Sequence, residues 1–251
     1  MRRFLYYNSG ISAPSFSNVY SMNFDGVNEA IQTPQDVLDI TTSISISGWF
    51  KTTDTSSIVQ IVCKDRTSGN NRSWAVSWRG SSFRYLLFSF WNTSGVANNT
   101  TSTANILDDG LWHHFVCTYD GTNSANGIKL YLDGVLDKQG TASSTGIRNY
   151  TGTNSNIAIG AISTTGARFF NGDIEEVAIW DGVVLDSTDV TNVYNSGTPN
   201  DLTSLAPQVW CRMGDLGTWG GTNWTFPNQG SLTFDFTSVL MEEVDRIADI
   251  P

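Results

Sequence analysis

The sequence of 251 residues has few charged side chains and few cysteines. Charged residues make up 15% of the chain, whereas soluble proteins usually have about 25%. Because the exposed faces of helices are normally filled with Glu, Lys and Arg, this shortage argues against an all-α protein. The cysteines Cys63, Cys117 and Cys211 lie far apart and form no C-x-x-C motif. They are predicted to be buried thiols of a protein made in a reducing compartment, and a disulfide between two of them is the alternative.

Basic residues and long apolar runs are also scarce. The chain has 14 Lys and Arg against 24 Asp and Glu, which gives a formal net charge of −10. Because nucleic-acid phosphates require a dense Lys/Arg surface, general nucleic-acid binding is not expected. No apolar run approaches the roughly 18 residues of a membrane-spanning helix. The apolar stretch Phe4–Tyr7 is too short for the hydrophobic part of a secretory signal, so no such signal is expected.

Short strands dominate what the sequence does contain. Apolar and polar side chains alternate through Ile44–Phe50 and Trp112–Tyr119, and Ile128–Leu132 runs into the hairpin signal Asp133-Gly134. Clusters of Gly, Asn, Ser and Thr separate such runs, which predicts an all-β chain folded as a two-sheet antiparallel sandwich or barrel. The side chains predicted to point inward include those of Trp49, Phe115, Tyr131 and Ile159.

One short helix is predicted after Trp180. Asp186 or Ser187 can cap its start, Asp189 lies in its first turn, and Gly197 can close it. The side chains expected to face inward are those of Val190, Val193 and Tyr194.

The strand motifs resemble laminin-G-like domains of the concanavalin A-like lectin/glucanase group. The most specific match is Asp109–Gly121, read as DGLWHHFVCTYDG. The other matching segments, in chain order, are Ser21–Asn28, Ser45–Phe50, Ile128–Gly134, Ile157–Gly160 and Phe169–Trp180. The resemblance implies a jelly-roll sandwich. It also implies four parts of the chain, which are an N-terminal arm (1–20), the jelly-roll domain (21–200), strands and loops packing on the sandwich (201–236) and a C-terminal arm (237–251).

The two ends are similar in style to virion structural proteins of tailed phages. This resemblance implies a non-enzymatic head decoration or fibre component, assembled in the host cytoplasm and located on the virion. The implied partners are other virion proteins, further copies of the chain (a trimer first) and a glycan. The side chains expected to anchor the arms are those of Arg2, Arg3, Phe4, Tyr6, Tyr7, Leu240, Met241, Val244 and Ile247. The alternative is an extracellular carbohydrate-binding module.

Catalysis finds little support in the sequence. The only histidines, His113 and His114, are adjacent on a strand and must point to opposite faces, so they cannot form one site. Glucanases of the group that this chain resembles carry a row of acids on one strand, and the nearest counterpart is Asp173–Val177. Val177 stands where a third acid would continue the row, and the segment is closer to a structural closing strand. No catalytic residues are therefore predicted.

A structural calcium ion is one candidate ligand. Ca²⁺ takes six to eight oxygen ligands, and the first and last strands of a jelly roll are neighbours. The predicted ligands are Asp25 on the first strand with Asp173, Glu175 and Glu176 on the late one. The alternative is that Asp25 forms a tight turn with Gly26 and that the glutamates are solvated or paired with arginine.

A sugar is the other candidate ligand, because lectins stack sugar rings on exposed aromatic side chains and fix the hydroxyl groups with polar ones. Two groups are predicted: Trp74 and Trp78 with Arg79, and Trp219 and Trp224 with Asn223. The strand aromatics could instead fill the core, because large aromatic side chains carry the largest burial energies. Trp219 and Trp224 could instead pack between subunits.

Overall fold

Two antiparallel sheets of eight and nine strands form the protein, as the sequence predicts. The structure is a computed structural model that describes residues 16–55, 58–65, 71–103, 107–162 and 167–251. The strands of the first sheet are β1 (Ser21–Asp25), β3 (Ile44–Lys51), β8 (Trp112–Tyr119), β9 (Ile128–Leu132), β10 (Val135–Gly140), β12 (Asn171–Asp181), β13 (Val209–Cys211) and β17 (Arg246–Ile247). The strands of the second sheet are β2 (Ala30–Gln32), β4 (Val59–Asp65), β5 (Arg72–Arg79), β6 (Tyr85–Trp91), β7 (Ala97–Thr101), β11 (Ala158–Ile159), β14 (Thr218–Trp219), β15 (Trp224–Pro227) and β16 (Asp235–Val239).

Alternating side chains on the two sheets build the core between them. In β3, Ile44, Ile46 and Phe50 point inward and are fully buried. Phe115 on β8 and Ile159 on β11 join them, as the sequence predicts. Gly48 makes room for the Phe115 ring, because a Cβ atom at Gly48 would lie 2.9 Å from its Cζ. The packing of the Phe115 ring between the sheets therefore depends on the absence of a side chain at Gly48.

The first sheet is buried on its outer face as well. There Trp49 stacks on Tyr194, with 5.7 Å between ring centroids, and lies 4.7 Å from the His114 ring. Tyr131 belongs to the same outer layer, in a cluster with Val190. The prediction that Trp49 and Tyr131 point into the inter-sheet core is therefore wrong. Alternation shows which residues share a face, but it does not show which of two covered faces that is.

A short helix covers this outer face. The helix α1 (Ser187–Tyr194) begins with a capping box, in which the Asp186 carboxylate accepts hydrogen bonds from the Thr188 and Asp189 backbone amides. It ends at Asn195 in the left-handed conformation rather than at Gly197. Val190 and Val193 are buried, as predicted. A second helix, α2 (Met213–Leu216), was not expected. Among the described residues, no helix is long and apolar enough to cross a membrane.

Residues 201–251 are part of the sandwich itself. They supply β13 and β17 to the first sheet and β14, β15 and β16 to the second. Met241 is 2% exposed and lies in the core. The Asp249 carboxylate pairs with Lys51 and accepts a hydrogen bond from the Trp112 indole at 3.0 Å. The prediction that 237–251 form an arm outside the sandwich is therefore wrong, whereas the packing of its exposed side chains on neighbouring subunits stays a prediction.

The side chains predicted to anchor the arms have different surroundings. Leu240 and Val244 are 62% and 75% exposed, and Ile247 on β17 is half-buried. Arg2, Arg3, Phe4, Tyr6 and Tyr7 lie outside the described residues. Phe16, where the description begins, packs on Trp210 of its own chain, with 6.2 Å between ring centroids.

The three cysteines are buried free thiols, as predicted. Burial raises the pKa of Cys211 well above its usual value and strongly raises that of Cys117, so both are unreactive as nucleophiles.

The integration of the C-terminal segment predicts unequal effects at two neighbouring apolar positions. Met241→Ala should lower the free energy of unfolding by about 2–5 kcal/mol, because it leaves a cavity in the core. Val244→Ala is the matched control and should change it by no more than about 0.5 kcal/mol, since its side chain lies in water. Chemical denaturation of both variants is the measurement, and equal effects would contradict the placement of this segment.

Candidate functional site

The outer face of the second sheet carries a cleft whose floor is made of small side chains. Trp74, Val76 and Trp78 of β5 point into the core, so Ala75 and Ser77 point outward. The pairing of β5 with β6 sets Ala75 opposite Ser89. Because these side chains are small, the sheet is locally hollow beside Leu87, the larger outward residue opposite Ser77. The resulting cleft has a volume of about 230 Å³.

Polar and aromatic groups surround this floor, and the whole set is called the second-sheet cleft. Gln60 of β4 lies on one side and Asn99 of β7 on the other. Trp91, at the end of β6, presents a half-buried indole to the cleft. Arg168, in the segment before β12, also lines the cleft. Its backbone carbonyl accepts a hydrogen bond from the backbone amide of Gln60 at 2.9 Å.

Arg72 is the most constrained of these groups. Its guanidinium carbon lies 5.2 Å from the centroid of the Trp91 ring, a cation–π contact. Its Nε atom lies 3.6 Å from a carboxylate oxygen of Asp65, which is beyond hydrogen-bond distance. The same Nε is buried and has no hydrogen-bond acceptor among the residues that the structure describes. The cleft thus combines an aromatic surface with amide, hydroxyl and guanidinium groups, the mixture that recognises polyhydroxylated ligands.

The strand residues predicted to bind sugar do not lie in this cleft. Trp74 and Trp78 are fully buried in the core, so the prediction that they bind a sugar is wrong. Burying such rings between two sheets removes more apolar surface from water than placing them at an exposed site does. Arg79 lies outside the cleft and stacks over the ring of Phe83, 4.8 Å from its centroid.

The second predicted sugar site is only partly exposed. Trp224 is 3% exposed, and its indole Nε1 donates a hydrogen bond to the Glu242 carbonyl at 2.7 Å. It is a core residue and cannot stack on a sugar. Trp219 is half-buried against Trp224, with 5.6 Å between ring centroids, and Asn223 is exposed in the turn between them. A role for Trp219 and Asn223 in binding stays a prediction.

The four predicted calcium ligands do not form one group. The Asp25 carboxylate accepts a hydrogen bond from the Val27 amide at 2.7 Å, in a local turn. The Asp173 carboxylate accepts one from the Asn23 amide at 2.6 Å and pairs with Lys51 at 3.2 Å. Their oxygens are thus engaged in separate contacts, and the four residues do not fit a shared Ca²⁺ ion.

Glu175 and Glu176 instead meet Asp215, which the sequence did not single out. Residue 176 has φ of 52° where the register between β12 and β3 shifts, and this bulge lets two consecutive side chains lie on the outer face. One oxygen from each of the three carboxylates lies within 4.8 Å of the others. The Arg212 Nε donates a hydrogen bond to Glu176 at 2.9 Å.

Burial dominates the ionisation of this acidic group. Burial and the neighbouring Glu176 raise the pKa of Glu175 well above its usual value. Burial also raises the pKa of Glu176 to about 7, although Arg212 and the Trp210 indole act in the opposite direction. The low-dielectric surroundings therefore favour the protonated, neutral acids.

The two histidines lie on opposite faces of β8, as predicted. His114 is buried beneath α1, and burial lowers its pKa to about 3. His113 lies between Asp133 and Asp109, at 3.0 and 3.3 Å. Burial acts against its charge, but hydrogen bonds to the two aspartates raise the pKa of His113 above its usual value. This arrangement links the start of β8 to the β9–β10 turn and to the segment before β8.

The sandwich and its outer-face cleft define a lectin-like jelly roll, and comparisons with known proteins agree. The family described as the concanavalin A-like lectin/glucanases superfamily (Laminin_G_3) matches residues 25–191. Because the match spans more than half of the chain, the protein belongs to this family. No curated protein sequence gives a significant match.

Three solved structures illustrate the likeness in fold. A candidate carbohydrate-binding protein from Bacteroides ovatus aligns with a TM-score of 0.65 and 17% identity, over 89% of this chain and 58% of its own. A heptameric SAP-like pentraxin from Limulus polyphemus aligns with a TM-score of 0.51 and 14% identity, over 70% of this chain and 82% of its own. Domain 4 of AbnA, an extracellular arabinanase from Geobacillus stearothermophilus, was solved with arabinotriose. It aligns with a TM-score of 0.49 and 22% identity, over 69% of this chain and 76% of its own.

The acidic group predicts that stability depends on pH. A carboxyl group with a raised pKa in the folded state stabilises the fold below its unfolded pKa, and this contribution is lost as pH rises through the folded pKa. The free energy of unfolding should therefore fall from about pH 4.5 to above pH 7. Glu175→Gln cannot ionise and should raise the Tm at pH 8 by about 2–4 °C relative to wild type, the shift expected for about 1 kcal/mol.

Differential scanning calorimetry from pH 5 to pH 8 tests this expectation. Glu243→Gln removes an exposed glutamate and is the control, which should follow the wild-type curve. Parallel Tm curves for wild type and Glu175→Gln would show that the buried acid does not cause the pH dependence.

Proposed function

We propose that this protein binds glycans in the second-sheet cleft without cleaving them. The observation that carries the proposal is the cleft itself, where a half-buried Trp91 lies beside amide, hydroxyl and guanidinium groups over a floor of small side chains. A pyranose ring has an apolar face for the indole and hydroxyl groups for Asn99 and Ser89. Membership of a family that includes lectins supports the same class of ligand.

The carboxylates in and around the cleft favour binding over hydrolysis. Glycosidases use two carboxyl groups, about 5–5.5 Å apart for retention or about 6.5–9.5 Å apart for inversion. Among the described residues that line the cleft, Asp65 supplies the one carboxylate. Asp173 and Glu175, the acids nearest to a glucanase pattern, lie on β12 of the other sheet. A non-enzymatic role is therefore part of the proposal.

The role of Trp91 can be tested by substitution. Trp91→Ala should weaken glycan binding at least tenfold, or about 1.4 kcal/mol, because it removes the aromatic surface of the cleft. Trp219→Ala is the matched control and should leave binding unchanged. A glycan array followed by isothermal titration calorimetry with the best ligand is the measurement. If Trp219→Ala abolishes binding and Trp91→Ala does not, the site is the β14–β15 hairpin.

The setting in which the protein binds glycans has two candidates. The first is a tailed-phage virion, where the chain would be a head decoration or fibre component in contact with other virion proteins and with further copies of itself. Its support is the resemblance of the chain ends together with Leu240 and Val244, which are exposed on the sandwich surface and could meet a neighbour. The second is an extracellular carbohydrate-binding module, for which the cleft would serve equally well.

The virion role predicts that the chain is found in purified phage particles. Mass spectrometry of particles from the source should detect it at a constant copy number, and multi-angle light scattering of the isolated protein should show a homo-oligomer, with a trimer as the first expectation. Leu240→Asp with Val244→Asp should disrupt that oligomer if the exposed pair is buried in it. Absence from intact particles would exclude the virion role and leave the module.

A further inference from the structure

We propose that the glycan bound in the second-sheet cleft is acidic and that its carboxylate is recognised by Arg72 and Arg168. This inference rests on the proposed function and adds the class of sugar, such as a uronic or sialic acid residue. It follows from the charge of the cleft, from an unsatisfied donor within it and from the way in which Arg168 is held.

The cleft is positively charged on a protein that is strongly negative. Two guanidinium groups, those of Arg72 and Arg168, face one carboxylate, that of Asp65. The chain as a whole has a formal net charge of −10. Because field lines concentrate in a cleft with low-dielectric walls, such a local excess of positive charge attracts anions selectively.

Four other basic side chains are paired with acids. Lys51 pairs with Asp173 and Asp249, and Arg84 pairs with Asp108. Lys64 pairs with Asp39, and Arg212 pairs with Glu176. Arg168 has no such partner among the described residues, so its charge remains available to a ligand.

Arg72 contains a donor that lacks an acceptor. Its buried Nε atom has no hydrogen bond to any described residue, although the guanidinium lies over the Trp91 ring and a carboxylate oxygen of Asp65 is 3.6 Å from this atom. A buried, unsatisfied donor costs about 1–3 kcal/mol, and more when the group is charged. A ligand oxygen in the cleft would remove this cost, and an anionic oxygen would do so with a stronger, charge-assisted bond.

Arg168 is held in place by its backbone. It has φ of 59°, and its carbonyl is tied to the Gln60 amide of β4. This places its side chain at the side of the cleft opposite Asn99. Guanidinium groups suit carboxylates because their planar donors can form two parallel hydrogen bonds. The side-chain oxygen of Gln60 accepts a hydrogen bond from Ser77, so Ser89 and Asn99 are left for hydroxyl groups of the same sugar.

Matched pairs of glycans that differ only in charge test the inference. Trigalacturonate is compared with its methyl ester, and 3′-sialyllactose with lactose, by isothermal titration calorimetry of the full chain at low salt. At least one acid should bind tenfold or more tightly than its neutral partner, and its affinity should fall as NaCl is raised. Arg168→Gln should weaken binding of the acid at least tenfold more than it weakens binding of the neutral partner, and so remove this preference.

Two further variants separate the possible failures. Arg72→Gln should reduce binding of the acid as Arg168→Gln does, whereas Arg79→Gln, an arginine outside the cleft, should not. If acidic and neutral partners bind equally well and Trp91→Ala weakens both, the proposed function stands and the inference is wrong. If Arg79→Gln alone removes the preference, the anion is recognised elsewhere and the inference is also wrong. If none of the four glycans binds to the wild-type protein, the experiment counts against both the inference and the proposed function.

Discussion

Burial of both faces of the first sheet is the constraint on which the rest of the structure depends. One face packs against the second sheet, and the other is covered by α1 and the segments around it. Trp49, Tyr131 and Trp180 fill much of this outer layer with buried aromatic side chains. The second sheet has its outer face partly uncovered, so a binding surface built on strands falls there. Its outward side chains are small in the middle and polar at the sides, which makes that surface concave.

Because both faces of the first sheet are covered, the charged side chains on its central strands are buried. Glu175 and Glu176 follow Ile174 on a strand that has no exposed face, and the bulge at Glu176 turns both toward the outer layer. Arg212 offsets part of their negative charge. The raised pKa values of both glutamates reduce it further, because they favour the neutral acids. Such a group stabilises the fold less than apolar residues of similar size would. It ties β12 to β13 through the Trp210 indole, and Arg212 pairs with both Glu176 and Asp215 of α2.

The sequence predicts the class of fold, the position of α1 and the opposite orientation of the two histidines, because these follow from local periodicity and capping. It misplaces Trp49 and Tyr131, because period two does not distinguish the inter-sheet core from a second covered layer. It also misses the cleft. The signal was present in the segment 74–78, where aromatic or apolar residues alternate with Ala and Ser. The prediction selected the large side chains of Trp74 and Trp78. The cleft is instead defined by the small side chains between them and by Arg168, which is distant in sequence.

The pairing of β17 with β1 has a consequence for how the chain folds. Ser21 lies opposite Ile247, and the Asp249 carboxylate contacts Lys51 and Trp112, so the edge of the first sheet is completed by residues more than 200 positions apart. During synthesis this edge stays open until residues 246–249 have left the ribosome, and its unpaired β1 strand is then available to other chains. Contacts of such large sequence separation are slow to form. Chains that stop before residue 246 should therefore aggregate rather than remain folded.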